Sequence, residues 1–157
     1  MLHGYVDTDW ASDVNNCKSI LGFMFMLAGG AISWSSKKQG AIALSSTESE
    51  YITGAHAAKE AIWLRQLLSN LGYSTHLPTL LHIDNQSAIT ITKNPEFHDR
   101  TKHIDVHYHY LWQKYESGEI ALNYTPTHAQ PADVLTKGLG REKHNQFRFQ
   151  MGMRDLD

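Results

Sequence analysis

The stretch GYVDTDWASD, residues 4–13, decides the fold. Tyr5 and Val6 belong to a short apolar run from Leu2, which reads as a strand. The strand runs straight into carboxylates: Asp7 closes it, with Asp9 and Asp13 following. A turn explains acids at a strand end, because Asp bonds its own backbone there. A metal site explains them equally well, and the choice depends on what the rest of the chain places beside them.

Downstream, Ile20 to Leu27 is continuously apolar and aromatic, Gly29-Gly30 signals a turn, and Ala31 to Ser35 resumes as a strand, which reads as a hairpin. The pattern then changes period. Tyr51, Ala55, Ala58, Ile62 and Leu68 follow helical spacing, with Ile52, Leu64, Leu67 and Leu71 widening the stripe. Ser45, Ser46 or Thr47 can cap this helix. Ser45 with Glu48 and Thr47 with Glu50 both have capping-box spacing, and Gly72 suits the far end. Leu80 to Ile83 reads as a short buried strand, and Asn85 to Ile91 turns helical. The stretch around residues 94–101 is a loop, residues 103–118 a helix, and residues 119–127 an alternating strand. The segment HAQPADVLTKGLG, residues 128–140, opens a last helix with Pro131 near its first turn. Strands first and strand–helix units later predict an α/β fold with a mixed sheet flanked by helices.

The opening question therefore has company. Asp7 ends the first strand, Glu50 lies in the first turn of the long helix, Asp84 ends the strand before Asn85, and Asp133 begins the last helix. In open α/β sheets, sites gather at strand ends and nearby helix starts, so acids distant in sequence can converge. Converging carboxylates repel and need compensation. Hard oxygen ligands suit Mg²⁺ or Mn²⁺, and two such ions about 3.5–4 Å apart clamp a phosphoryl displacement. Each acid also has a local explanation. Asp7 fits a turn, Glu50 a capping box, Asp84 a helix N-cap and Asp133 a favourable helix dipole.

Length and composition bound the answer without choosing it. At 157 residues the chain fits one domain. Its single cysteine, Cys17, excludes an internal disulfide and fits a reducing, intracellular setting. No run of about 18 apolar residues exists to span a membrane, and the start lacks the basic and apolar regions of a signal peptide. The net charge of −2 counts against a nucleic-acid partner, unless bound cations reverse the sign at the carboxylates.

Seven blocks carry a resemblance: GYVDTDWASD, KSILGFMFMLAGGAISWSSKKQ, ALSSTESEYI, KEAIWLRQLL, HIDNQSAI, RTKHIDVHYHYL and QPADVLTKGL. In this order they resemble the ribonuclease H domain of copia-type LTR retrotransposon Pol polyproteins, from about Leu2 to Leu139. The resemblance implies a ribonuclease H-like fold with a five-stranded mixed sheet. It implies a domain over residues 1–140, and residues 141–157 are similar to the short C-terminal extension of such polyproteins. It also implies Mg²⁺-dependent hydrolysis of the RNA strand of an RNA–DNA hybrid during reverse transcription, with Mn²⁺ as a possible substitute. The reverse transcriptase polymerase domain normally lies upstream, and no membrane is involved. Such a domain works inside the cell, in a cytoplasmic particle or the nucleus.

The family's acidic quartet falls on Asp7, Glu50, Asp84 and Asp133, with Asp9 and Glu48 as near misses. Carried over, Asp7, Glu50 and Asp84 hold one ion, while Asp7 and Asp133 hold the other. Ser46, Thr47, Asn85 and Gln86 become candidate substrate contacts beside the acids, with capping and turn chemistry as the alternative. Cellular ribonucleases H carry a mobile histidine before the last acid. Here that loop is short, and His128 stands five residues before Asp133. His128 either assists proton or product movement or is incidental. Lys37, Lys38, Arg100 and Lys102 are candidate phosphate contacts or solvated charges. His103 and His107 share a helical face and raise a zinc reading that lacks a cysteine pair or HExxH. The rival expectation is a co-opted or degenerate module that binds hybrid nucleic acid or a protein partner without cutting.

Overall fold

The computed structural model describes residues 1–10, 18–40, 42–94 and 105–154. Asp13, Cys17, Arg100, Lys102 and His103, on which parts of the reading above fall, lie outside the described residues. The elements run β1 (His3–Asp9), β2 (Ile20–Leu27), β3 (Gly30–Lys38), α1 (Ser46–Asn70), β4 (Thr79–Ile83), α2 (Gln86–Lys93), α3 (Asp105–Glu116) and β5 (Ile120–Tyr124). Two 3₁₀ segments, Thr127–Ala129 and Pro131–Leu135, lead into α4 (Arg141–Gln150).

The five strands form one sheet in the order β3-β2-β1-β4-β5. The first three pair antiparallel, whereas β1/β4 and β4/β5 are parallel, giving the expected mixed sheet. Tight turns suffice between antiparallel neighbours. Parallel neighbours need a crossover, which α2 and α3 provide between β4 and β5, while α1 carries the chain from the edge strand β3 to β4. The β2–β3 hairpin turns on Ala28 and Gly29, one residue earlier than the Gly29-Gly30 pair suggested. Both have positive φ, 52° and 84°, and Leu27 pairs with Gly30 across the turn. That geometry matches the right-handed twist of the strands.

Both faces of the sheet are covered, which is why β2 is continuously apolar. Phe23 and Phe25 join Val6, Leu81 and Ile83 against Tyr51, Ala58, Ala61 and Leu64 of α1. Met24 and Met26 point the other way and pack with Met151, beside Tyr5, Val134 and Leu135. On α1 the buried stripe is built largely from small residues, Gly54, Ala55, Ala57, Ala58 and Ala61. They let α3 approach closely: a Cβ at Gly54 would lie 3.1 Å from the side chain of Leu111. Leu67 and Leu71, read as part of the stripe, are exposed. Leu71 lines a cavity of about 620 Å³ at the end of the sheet where β1 and β4 begin.

Two boundaries differ from the sequence reading. First, β1 does not end at Asp7: Thr8 and Asp9 continue its pairing with β2. What ends near Asp7 is the parallel pairing with β4, whose last pair is Val6 with Ile83. Second, residues 128–140 do not form an α-helix. Pro131 starts a 3₁₀ segment that stops at Leu135, followed by Gly138 and Gly140, and the regular helix comes only at Arg141–Gln150. A 3₁₀ segment holds its residues with i→i+3 bonds over a short run. Here it lets Leu135 and Thr136 press onto β2 at Gly22, where a Cβ would lie 2.6 Å from Thr136 Cγ2.

Candidate metal centre

The split between β1 and β4 creates the centre. Past the pair Val6–Ile83, β1 continues as Asp7 while β4 ends and the chain turns at Asp84 into α2. Gln130 closes the split from above, its fully buried amide donating to Val6 O at 2.9 Å and His82 O at 3.2 Å. Asp133 N in turn bonds Gln130 O at 3.1 Å, which fixes Asp133 three residues on. Asp7, Asp84 and Asp133 thereby converge, each with a carboxylate oxygen within 4.8 Å of the others'.

The local alternatives divide these acids from their neighbours. At the start of α1, Ser45 accepts from Glu48 N, and Glu48 Oε2 accepts from Leu44 N at 2.6 Å. The capping box is therefore Ser45 with Glu48, and Glu50, at the start of the second turn, takes no part in it. At α2 the cap is Asn85, whose Oδ1 accepts from Ala88 N at 3.0 Å, so Asp84 is not the N-cap. Asp84 instead accepts from Thr127 Oγ1 at 3.0 Å. Asp7 is 1% exposed, whereas Asp9, on the same strand face, is half-buried and outside the convergent group.

Glu50 is 5% exposed, and its Oε2 is buried without a hydrogen-bond partner. It lies outside the tight group of three but feels it. Burial, then Asp84 and Asp7, raise its pKa well above the usual carboxylate value, against weaker opposition from Lys137 and a Thr8 backbone hydrogen bond. Burial also lifts Asp7 to about 6, although the Thr136 hydroxyl donates to it and Lys137 opposes the rise. Such a site holds more carboxylates than its own cations balance. The hard-oxygen donor set and the orphaned Glu50 oxygen both fit divalent Mg²⁺ or Mn²⁺.

Among the described residues, Lys137 and Lys143 bring their ammonium groups to these acids. Lys137 Nζ is 3.1 Å from Asp133 Oδ1 and 3.6 Å from Asp7 Oδ2. Burial works against its charge, but Asp7 and Asp133 outweigh burial and hold its pKa above the ordinary lysine value. Lys143 Nζ of α4 binds the other Asp133 oxygen at 2.7 Å, with its ammonium 5.2 Å from the Phe147 ring centre. The spacing Asp133–Lys137 was a usable signal, since residues four apart meet on a helical turn. Thr136, Thr127 and Lys143 left none, because only tertiary folding brings them to the acids.

The other candidates are arranged differently. Ser46, Gln86 and His128 are exposed and Thr47 half-exposed. Asn85 commits its carbonyl oxygen to the cap, the local role anticipated for it. Lys37 and Lys38 are exposed at the end of β3, and His107 packs against His56 of α1 with ring centres 5.6 Å apart. Of the tryptophans, Trp34 and Trp63 are exposed, while Trp112 packs at the edge of the larger core.

Comparison with known proteins agrees with this geometry. The chain is 42% identical over 98% of its length to the retrovirus-related Pol polyprotein from transposon TNT 1-94 of Nicotiana tabacum. It is 40% identical over 97% of its length to that from transposon RE1 of Arabidopsis thaliana. It spans about a tenth of each, 11% and 10%. No protein-family profile matches. Among solved structures, the ribonuclease H1 LC11 from a compost metagenome superposes with a TM-score of 0.65 at 12% identity, covering 86% of this chain and 91% of that one. The same enzyme in complex with RNA/DNA hybrid gives 0.61. The foamy viral protease-reverse transcriptase in complex with RNA/DNA hybrid gives 0.58 at 13% identity, over 92% of this chain and 20% of that one. The fold is that of ribonuclease H, and the sequence relatives are Pol polyproteins of plant transposons.

Proposed function

We propose that this segment of a retrovirus-related Pol polyprotein is its ribonuclease H, hydrolysing the RNA strand of RNA–DNA hybrids formed in reverse transcription. The observation that carries the reading is the convergence of Asp7, Asp84 and Asp133 within 4.8 Å, with the unpartnered Oε2 of Glu50 in their field. In this reading Asp7, Glu50 and Asp84 would hold one Mg²⁺, and Asp7 with Asp133 would hold a second. When bound, the two ions supply Lewis acidity for the attacking water and the leaving 3′ oxygen.

The rest is work of the chain itself. Thr136 fixes the rotamer of Asp7 by donating to Oδ2, and Thr127 does the same for Asp84. Gln130 sets the height of Asp133 above the strand split. Asp7, Glu50 and Asp133 are themselves buried, which strengthens the charge interactions among them. Discrimination for RNA comes from contacts to 2′-hydroxyls across the minor groove. Gln86 and Ser46, both exposed, and the half-exposed Thr47, near Asp84 and Glu50 in the sequence, are the candidates for those contacts.

The test is cleavage of a labelled RNA–DNA hybrid, with Mg²⁺ or with chelator. Turnover with Mg²⁺ alone, leaving 3′-hydroxyl and 5′-phosphate ends, is the expected result. Tight hybrid binding without turnover under both conditions would instead make the chain a binding module.

A further inference from the structure

We infer that Lys137 is a tethered counter-cation standing where Asp7 and Asp133 would share a divalent ion, so that metal uptake there is an exchange that expels its ammonium. The inference rests on the carboxylates being metal ligands, as proposed above. It goes further in giving the empty-handed and loaded states different positions for one named side chain.

Four observations carry it. The ammonium lies 3.1 Å from Asp133 Oδ1 and 3.6 Å from Asp7 Oδ2, between the two acids rather than beside one. Its backbone is anchored, Lys137 N bonding Asp133 O at 3.1 Å, so the charge is delivered from within the same turn. The side chain is one-third exposed, 33%, whereas its carboxylate partners are 0% and 2%, so the lysine has a route to solvent that the acids lack. Lys143, by contrast, touches one oxygen of Asp133 alone and is held over Phe147.

Charge explains why the arrangement is temporary. Lys137 and Lys143 together carry two positive charges against the four carboxyl groups of Asp7, Glu50, Asp84 and Asp133. A divalent ion brings twice the charge of the Lys137 ammonium and bonds the oxygens directly. The flexible four-carbon stem of lysine lets the ammonium leave without moving the backbone. The folded chain thus keeps its acids together before metal arrives, and Lys137 lowers affinity at that position by competing for it.

The experiment uses the whole chain without nucleic acid. Mg²⁺ binding is measured by calorimetry for the parent, Lys137→Met and Lys137→Arg, and lysine labelling is followed by mass spectrometry with Mg²⁺ or chelator. Lys137→Met should bind Mg²⁺ roughly 3–10-fold more tightly, the scale of removing one screened charge at this distance, while melting lower in chelator. Lys137→Arg, keeping the charge, should stay near the parent. In the parent, Lys137 should label several-fold faster with Mg²⁺ than with chelator, while the remote Lys114, paired with Glu119, does not change.

Unchanged labelling of Lys137, or equal Mg²⁺ affinity in Lys137→Met, overturns the exchange while leaving the metal reading standing. Absence of Mg²⁺ binding in both the parent and Lys137→Met overturns the two together.

Discussion

At Asp7 the chain buries a carboxylate whose pKa rises to about 6, chiefly through desolvation. A raised folded-state value means that the native protein holds a proton the unfolded chain has lost. Between about pH 4 and 6, stability of the metal-free protein therefore falls as pH rises. A two-unit rise corresponds to about 3 kcal/mol at full effect. In chelator, the Asp7 contribution should raise the melting temperature as pH is lowered from about 6 towards 4, and Asp7→Asn should flatten that slope and melt higher at pH 7. A large loss of stability in Asp7→Asn would make Asp7 a structural residue instead. Saturating Mg²⁺ should reverse the contrast, stabilising the parent more than the variant. In catalysis Asp7→Asn should lose at least ~100-fold in turnover with little change in hybrid affinity, because the lost interaction acts mainly in the transition state. Asp9→Asn should be far milder, its carboxylate lying outside the convergent group. The sequence suggested an element boundary at each acid, but only Asp84, just past β4, lies at one; Asp7 lies within β1, Glu50 within α1 and Asp133 within the 3₁₀ segment. Thr136 and Thr127 could not be assigned a role, since their meaning depends on separations of up to 129 residues along the chain, as for Thr136 with Asp7.

Elements place these side chains, and the tightest junction is β2 against the 3₁₀ segment. Gly22 pairs with Asp7 across the antiparallel ladder and faces Thr136 and Leu135. A Cβ there would sit 2.6 Å from Thr136 Cγ2 and 3.0 Å from Leu135 Cβ. Gly22→Ala should therefore push the segment away, costing ~1–3 kcal/mol by overpacking and displacing Asp133 from Asp7. Denaturant unfolding would show the first effect and weakened Mg²⁺ binding the second. Unchanged stability and affinity would mean that the segment is not seated by this contact. The strands and long helices were readable because their periods and end signals agree: Ile20–Leu27 coincides with the apolar run, and Gly72 follows α1 with φ of 84°. The segment at residues 128–140 was misread because Pro131 opens 3₁₀ and α-helices alike. What selects 3₁₀ is the packing onto Gly22, more than 100 residues away in the chain.

Across the whole molecule, the sheet has a large core beneath α1 and a small one beneath the C-terminal segment, and the convergent acids lie at the sheet end. The fold class was legible from the order of elements, but the contribution of residues 141–157 was not. Their composition, with Arg141, Glu142, Lys143 and Arg148 among few apolar residues, resembles a solvated tail. The structure packs residues 141–154 against the sheet: Phe147 is fully buried, Met151 joins Met24 and Met26, and Ala31 N bonds Met151 O at 3.0 Å. Gly152 sits so close to the hairpin turn that a Cβ would fall 2.6 Å from Gly29 O. The same helix sends Lys143 to Asp133, so it couples the second core to the acids. Phe147→Ala should cost ~3–5 kcal/mol, the range for emptying a buried aromatic site. Ending the chain after Gly140 should do at least as much by also exposing Met24 and Met26. Lys143→Met should behave differently, keeping the packing and removing only the charge beside Asp133. Chemical unfolding of the three proteins, paired with Mg²⁺ titration, separates packing from charge. Near-parental stability of the truncated chain would mean that residues 141–157 rest on the sheet without supporting it.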